Sequence, residues 1–180
     1  GWQWLRQRNA GPLWLWGVRA GCLLAVDAAR QLAQPCHFIF WQPPAFGKIL
    51  LQQFLRLKAA GDLMGGQVKA TLQALRDQLA RGELVEIVGY QIAPALATGL
   101  EQATLSPPVE HAQAHCVQWF ELSTRQDATL SPASGQSVAK WQQAGYSVAT
   151  HIVSGPAFWQ TTEIEDAPAL IASTTASLAA

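Results

Sequence analysis

The segment Gly17-Val18-Arg19-Ala20-Gly21 contains the residues whose types and spacing come closest to a reactive site. Two glycines around a central residue are typical of a nucleophile elbow, a sharp turn from a strand into a helix that presents a serine. Here the central residue is Arg19, and a guanidinium that stays protonated up to a pH of about 12 cannot act as a nucleophile. The turn also ends at a helix N-terminus, which attracts anions. The pattern therefore predicts an anion-binding turn formed by Gly17, Arg19 and Gly21.

Two alternatives remain open at this turn. Arg19 can instead pair with Asp127 or another acid and hold the turn together. Cys22 follows in the first turn of the predicted helix, where a thiolate is stabilised, so a cysteine nucleophile is a second alternative. A buried apolar cysteine is the more ordinary explanation for Cys22.

Acidic residues and histidines elsewhere lack the spacing of a metal site. Glu163, Glu165 and Asp166 form an acidic group without a histidine at ligand spacing, and we predict that it caps a helix N-terminus. His111 and His115 are close in sequence but have no third ligand. The three cysteines include no CxxC pair, which argues against a disulfide framework or a zinc site. We expect no metal and no cofactor.

The elements that must position the turn alternate between strands and helices. Apolar runs predict buried strands over residues 11–17, 36–41, 115–123 and 146–155. Apolar periodicity predicts helices over residues 20–33, 46–64, 67–81, 137–145 and 163–178. This alternation favours an α/β fold with a mainly parallel sheet of about four strands. Ligands of such sheets bind outside the carboxyl ends of the strands, which is where the turn at Arg19 lies.

The helical block 46–104 interrupts the alternation. Because it is too long for one crossover connection, we predict a helical cap or lid over 46–104. The sheet core is then formed by residues 1–45 and 105–180.

An apolar stripe runs along the first helix of this block. Phe46, Leu50, Phe54 and Leu57 recur at helical spacing. Packing in a plain hydrophobic core explains the stripe, and the alternative is the lining of an acyl or lipid pocket under the cap.

Composition narrows the classes of partner. The chain has 180 residues, with 12 basic and 12 acidic side chains and 13% charged residues in all. A chain without excess positive charge is a poor candidate for nucleic-acid binding or for a polybasic membrane anchor. No uninterrupted apolar run predicts a membrane span or a signal peptide, so we expect a cytoplasmic protein. The low charge predicts a tendency to associate.

Three segments resemble one known family. LWLWGVRAG, FWQPPAFGKILLQQFLRLKAA and SGPAFWQTTEIEDAPALI look like the exosortase A system-associated hydrolase 2 family, and the resemblance covers nearly all of the chain. It implies a bacterial α/β-hydrolase fold that accompanies the exosortase/PEP-CTERM sorting system. It also implies, by association alone, an ester or acyl substrate.

The resemblance implies places for a catalytic triad. The acid of the family would lie after the third strand here, where Asp127 stands, so Asp127 is a candidate catalytic acid. The histidine would lie after the last strand, where Ala157 stands instead, near Trp159, which we expect to face the site. His151 falls inside the last predicted strand and is more easily explained as a structural residue. With Arg19 and Ala157 at two of the three places, a Ser-His-Asp mechanism is not supported.

The resemblance also implies that four strands precede the elbow in the family. This chain would then be the C-terminal part of an α/β-hydrolase-like sheet, with an open edge along the strand at 13–16. We expect a homo-oligomer or a missing N-terminal segment to cover that edge. Two functions follow: an ester or acyl hydrolase, or a catalytically inactive fold that binds an anionic ligand or a protein partner at Arg19.

Overall fold

The structure, a computed structural model, describes residues 1–32, 36–61, 68–108, 115–125, 127–160, 163 and 165–179. In chain order its elements are α1 (Trp2–Arg6), β1 (Trp14–Val18), α2 (Ala20–Leu32), β2 (His37–Trp41), α3 (Gly47–Gly61), α4 (Val68–Ala80), β3 (Val85–Ile87), β4 (Tyr90–Ile92), α5 (Pro94–Gln102), β5 (Cys116–Ser123), α6 (Pro132–Gln143), β6 (Ser147–Ser154) and α7 (Pro168–Ala179).

The chain divides into two compact units, one formed by residues 1–43 with 106–180 and the other by residues 44–105. The first unit contains a four-stranded sheet in the order β1-β2-β5-β6, in which all neighbouring strands run parallel. The sequence prediction of an α/β fold with a mainly parallel sheet of about four strands is therefore confirmed. The role of the second unit as a cap stays a prediction.

Both faces of the four-stranded sheet are covered, because alternate residues of a strand point to opposite sides. Phe38 and Phe40 lie on one face, and both contact the ring of Trp141 in α6 edge to face, at 5.1 and 5.4 Å between ring centres. On the other face, Ile39 belongs to a buried cluster with Leu170 of α7. With both faces packed against helices, the strand ends are the places where the sheet can meet a ligand.

β1 is an edge strand, paired with β2 alone among the described residues. The side chain of Trp16 is 56% exposed and that of Val18 is 36% exposed. Trp16 still contacts Trp41 of β2, with 4.8 Å between ring centres. An unpaired strand edge with exposed apolar side chains is a surface on which another chain can pair.

The start of α6 differs from the prediction. The helix begins at Pro132, whereas the sequence pattern placed its start at residue 137 and assigned the preceding residues to a loop. The reason is a cap: the Ser131 hydroxyl accepts a hydrogen bond from the Ser134 N–H at 3.1 Å. Pro132 then occupies the first helical position, where its fixed φ is favourable and its missing N–H costs nothing.

The second unit has a core of its own. Leu55 of α3 and Leu75 of α4 pack in one buried cluster with the β3–β4 hairpin. Strands β3 and β4 of this hairpin are joined by Val88 and Gly89, whose φ values are 50° and 81°. Two successive left-handed residues are typical of a tight hairpin turn.

The described helices do not include one with the length and apolar character needed to cross a bilayer. The predicted end of one helix at residue 64 and the predicted start of the next at residue 67 lie outside the described residues.

Candidate functional site

A single residue, Arg19, connects β1 to α2. Its φ of 53° lies in the left-handed region, which residues with a side chain rarely adopt. Its N–H donates to the Trp41 carbonyl of β2 at 2.9 Å, and its own carbonyl accepts from the Cys22 N–H at 3.0 Å. Because the neighbouring strand and the first helical turn both fix this residue, the unusual backbone conformation is maintained. Such conformations cluster at functional sites.

Gly17 makes the turn possible. A Cβ atom at this position would lie 2.5 Å from the Cys22 Cα and from the Gly21 carbonyl carbon, and it would also meet the Cys22 nitrogen. All three are backbone atoms, so no side-chain rotation relieves the clash. At Gly21, by contrast, an added Cβ meets nothing within 4 Å. Of the two glycines in the motif, only Gly17 therefore stands where a side chain cannot fit.

The side chain of Arg19 lies against Trp159, which comes from the loop after β6. The guanidinium carbon is 5.2 Å from the centre of the indole ring, within the range of a cation–π interaction. Partial burial lowers the pKa of the Arg19 guanidinium, against a smaller opposite effect of the Cys22 thiol. The structure thus brings Gly17, Arg19, Gly21 and Trp159 together.

Trp159 contributes a second donor to this place. Its indole Nε1 is buried and has no hydrogen-bond partner within the described part of the chain. A buried N–H group without an acceptor costs roughly 1–3 kcal/mol. A carboxylate or phosphate oxygen beside Arg19 is an acceptor of suitable chemistry for this N–H.

A second left-handed residue lies at the same edge of the sheet and was missed by the sequence analysis. Gln42, directly after β2, has a φ of 47°. Its N–H donates to the Phe120 carbonyl at 2.8 Å, and its side-chain Oε1 accepts from the Leu122 N–H at 2.8 Å. Gln42 therefore ties the carboxyl end of β2 to β5, which fixes the strand that in turn holds Arg19.

Cys22 has the environment of a buried structural cysteine. The residue is fully buried, and its thiol donates a long hydrogen bond of 3.7 Å to the Trp41 carbonyl. Burial raises the pKa of the Cys22 thiol far above its ordinary value. A thiol that stays protonated and inaccessible is a poor nucleophile, so the geometry favours the apolar explanation.

The other two positions at which the family resemblance implies triad residues lie in the predicted loops. Asp127 is exposed in the loop between β5 and α6, and its role as a catalytic acid stays a prediction. Ala157 lies half-buried in the loop after β6. His151 lies inside β6, where its ring stacks on Phe120 at 4.4 Å and its Nε2 is 2.8 Å from the Gln118 Oε1. Burial lowers the pKa of His151. These contacts give His151 a structural role.

The acidic group Glu163, Glu165 and Asp166 precedes α7, which begins at Pro168. The three acidic side chains are exposed. Among the described residues, no group of three or more His, Cys, Asp or Glu side chains is arranged to hold a metal ion. His111, one of the two histidines considered as ligands, lies outside the described residues.

A polar cluster at the opposite, amino edge of the sheet was also missed. The His37 Nδ1 is 2.9 Å from the Cys116 Sγ and accepts the Cys116 N–H at 3.2 Å. Trp14 stacks on the same imidazole at 4.7 Å, and burial lowers the pKa of His37. His37 opens β2 and Cys116 opens β5, so only the register of two strands distant in sequence brings them together.

No family model, curated protein or solved structure was found to match this chain.

Proposed function

We propose that this chain binds an anionic small molecule at the β1–α2 turn, and that it does so as an α/β-hydrolase-like fold in which Arg19 stands at the nucleophile position. The observation that carries the proposal is the conformation of Arg19. A left-handed, non-glycine residue between a strand and a helix is the backbone of a nucleophile elbow, and its side chain here is a cation. The elbow therefore presents positive charge in place of a hydroxyl.

Three groups at this turn favour an anion. The Arg19 guanidinium supplies charge and paired N–H donors that match carboxylate and phosphate oxygens. The N-terminus of α2, a helix of 13 residues with no acidic residue in its first turn, adds a partial positive charge. The buried Trp159 Nε1 adds a donor that has no partner within the described part of the chain. Together they provide positive charge and directional hydrogen-bond donors for one small ligand.

The turn lacks the nucleophile and the base that hydrolysis by a covalent mechanism requires. The nucleophile position is occupied by Arg19, and Ala157 stands where the resemblance implies the histidine. The neighbouring thiol of Cys22 is buried and protonated. An acyl-enzyme intermediate needs a nucleophile activated by a base, and neither role is filled by these residues.

Membership of the exosortase A system-associated hydrolase 2 family is part of the same proposal. Two observations support it: the elbow-like backbone at Arg19, and a sheet in which β1, β2, β5 and β6 follow one another in a single direction. That order agrees with the part of the α/β-hydrolase sheet that follows the elbow. Ester or acyl hydrolysis is the alternative function, and the retained elbow backbone is the observation in its favour.

Binding of inorganic phosphate and of a short-chain carboxylate, measured by isothermal titration calorimetry, tests the proposal. The variant Arg19→Asn removes the charge while keeping a residue that tolerates the left-handed region. We expect it to lose at least tenfold in affinity, since a hydrogen bond to a charged group contributes about 1.5–3 kcal/mol. Arg76→Gln removes one exposed charge from α4 in the second unit and is the matched control.

Equal affinity of the Arg19→Asn variant and the unchanged chain would contradict the proposal. A serine-directed fluorophosphonate distinguishes anion binding from the alternative function, hydrolysis, because stoichiometric labelling of the chain would establish a hydrolase. We expect no labelling.

A further inference from the structure

A second surface, remote in sequence from the turn at Arg19, lies on α3 in the second unit. Phe46, Ile49, Phe54 and Leu57 are 40%, 40%, 40% and 56% exposed. Ile49, Phe54 and Leu57 are separated by three, five and eight residues, which places them on one side of α3, and Phe46 directly precedes the helix. We call these four residues the α3 stripe. Leu50, which the sequence analysis grouped with them, is buried, so the explanation of that stripe as plain core is wrong for Phe46, Phe54 and Leu57.

Other residues of α3 already pack in the core of the second unit. Leu51 and Leu55 are buried with α4 and the β3–β4 hairpin in the core of the second unit. The core of the second unit therefore does not bury the α3 stripe. Because exposed apolar surface is costly in water, a helix that is apolar on two sides is suited to a second apolar environment.

The charges of α3 are all of one sign. The helix Gly47–Gly61 contains Lys48, Arg56 and Lys58 and no Asp or Glu. Arg56 and Lys58 flank Leu57, the most exposed member of the stripe. The net charge of the whole chain is zero, so this concentration of positive charge on one helix is hidden in the overall composition.

The position of Lys48 points to an anionic surface in particular. It lies in the first turn of α3, which has no acidic residue, so its charge opposes the partial positive charge of the helix N-terminus. Its Nζ lies 5.2 Å from the centre of the Phe46 ring, at the beginning of the stripe. An anionic group above this end of the helix would be attracted by both the lysine and the helix dipole.

We infer that the α3 stripe docks on an anionic lipid surface, with α3 lying in the plane of the membrane interface. A helix of this kind combines bulky apolar side chains on one side with flanking Lys and Arg residues, and its binding depends on both. The stripe supplies the apolar contact, and Lys48 and Arg56 supply the attraction to anionic headgroups. This docking surface does not depend on anion binding at Arg19.

Co-sedimentation of the full chain with lipid vesicles tests the inference. We expect binding to phosphatidylcholine vesicles that contain phosphatidylserine, much weaker binding to pure phosphatidylcholine, and loss of binding as salt is raised. Arg56→Gln should weaken binding about fivefold, the contribution of one cation near an anionic membrane. Arg76→Gln, on α4, should leave binding unchanged.

The apolar part of the inference is tested by the double variant Phe54→Gln/Leu57→Gln. Both side chains are exposed, so the fold should persist, which circular dichroism checks. We expect vesicle binding to fall by at least tenfold, because both side chains lose apolar contact with the lipid. Leu24→Gln, a 70% exposed leucine of α2, is the matched control and should bind as the unchanged chain does.

Three outcomes would overturn the inference: no binding to the anionic vesicles, equal binding of the double variant, or equal binding to neutral and anionic vesicles. If vesicles are not bound and light scattering shows a dimer that the double variant abolishes, the α3 stripe is a protein interface and the lipid proposal is refuted.

Discussion

Replacing Gly17 by alanine should destabilise the first unit strongly, whereas the same change at Gly21 should not. The added Cβ at position 17 would lie 2.5 Å from the Cys22 Cα, while real Cβ contacts stay beyond about 3.0 Å. Because the clash is with backbone atoms, β1 and α2 have to separate. Overpacking costs about 1–3 kcal/mol, and we expect a value near the upper limit.

The size of the effect follows from the chain length. At about 2–4 °C per kcal/mol for a chain of this size, a loss of about 3 kcal/mol lowers Tm by roughly 6–12 °C. Gly21→Ala introduces a better helix former into open space at the start of α2, so it should be neutral or stabilising by up to about 1 kcal/mol. The two variants are chemically identical changes, but only Gly17→Ala is expected to lower the stability of the fold.

Urea unfolding followed by tryptophan fluorescence is the appropriate assay. All eight tryptophans lie in the first unit, so the signal reports the sheet and not the second unit. If Gly17→Ala is no more destabilising than Gly21→Ala, β1 and α2 do not approach as the structure has them. The elbow-like turn, and the argument for Arg19 with it, would then fail.

Three further predictions concern titration, thiols and association. Burial lowers the pKa values of His37 and His151, so their stabilising neutral forms are fully present above an unfolded pKa of about 6.5. Stability should therefore fall as pH drops below that value, and unfolding curves of the His37→Asn/His151→Gln variant should show a flatter dependence; an unchanged slope would refute the assignment. Iodoacetamide should modify the partly exposed Cys116 in the native chain, while mass spectrometry finds Cys22 modified only after unfolding; native labelling of Cys22 would show that α2 does not bury it. The open edge of β1 should produce a dimer or larger species in light scattering, which Trp16→Lys weakens, and a clean monomer would count against this edge as a pairing surface.

The sheet was predictable from the sequence because each strand is a short apolar run bounded by glycine, proline or polar residues. The residues at which the helices begin were less predictable. Ser131-Pro132 has the residue types of a loop and also those of an N-cap followed by a first helical residue, and only the bond to Ser134 decides between them. α1 was not predicted, since it has five residues and buries none of them.

The site was partly predictable for a similar reason. Gly17 and Arg19 lie two residues apart in sequence, so their spacing alone indicates a strand–helix turn. Trp159 was expected to face the site because it lies in the loop after the last strand, but its contact with Arg19 crosses from the far edge of the sheet and depends on tertiary folding. Gln42 carries no signal for a left-handed backbone, because glutamine has no special preference for it. The exposure of Phe54 likewise depends on which side of α3 the core of the second unit covers, and periodicity does not distinguish two apolar sides.

We propose that Arg19 and Trp159 form one anion site at the elbow-like turn. The most direct measurement is the ¹H–¹⁵N signal of the Trp159 indole, assigned with a Trp159→Phe variant, during titration with inorganic phosphate. We predict a saturable shift of this signal in the unchanged chain and no shift in Arg19→Asn. A Trp159 signal that does not respond to phosphate, or that responds equally in Arg19→Asn, would contradict the claim.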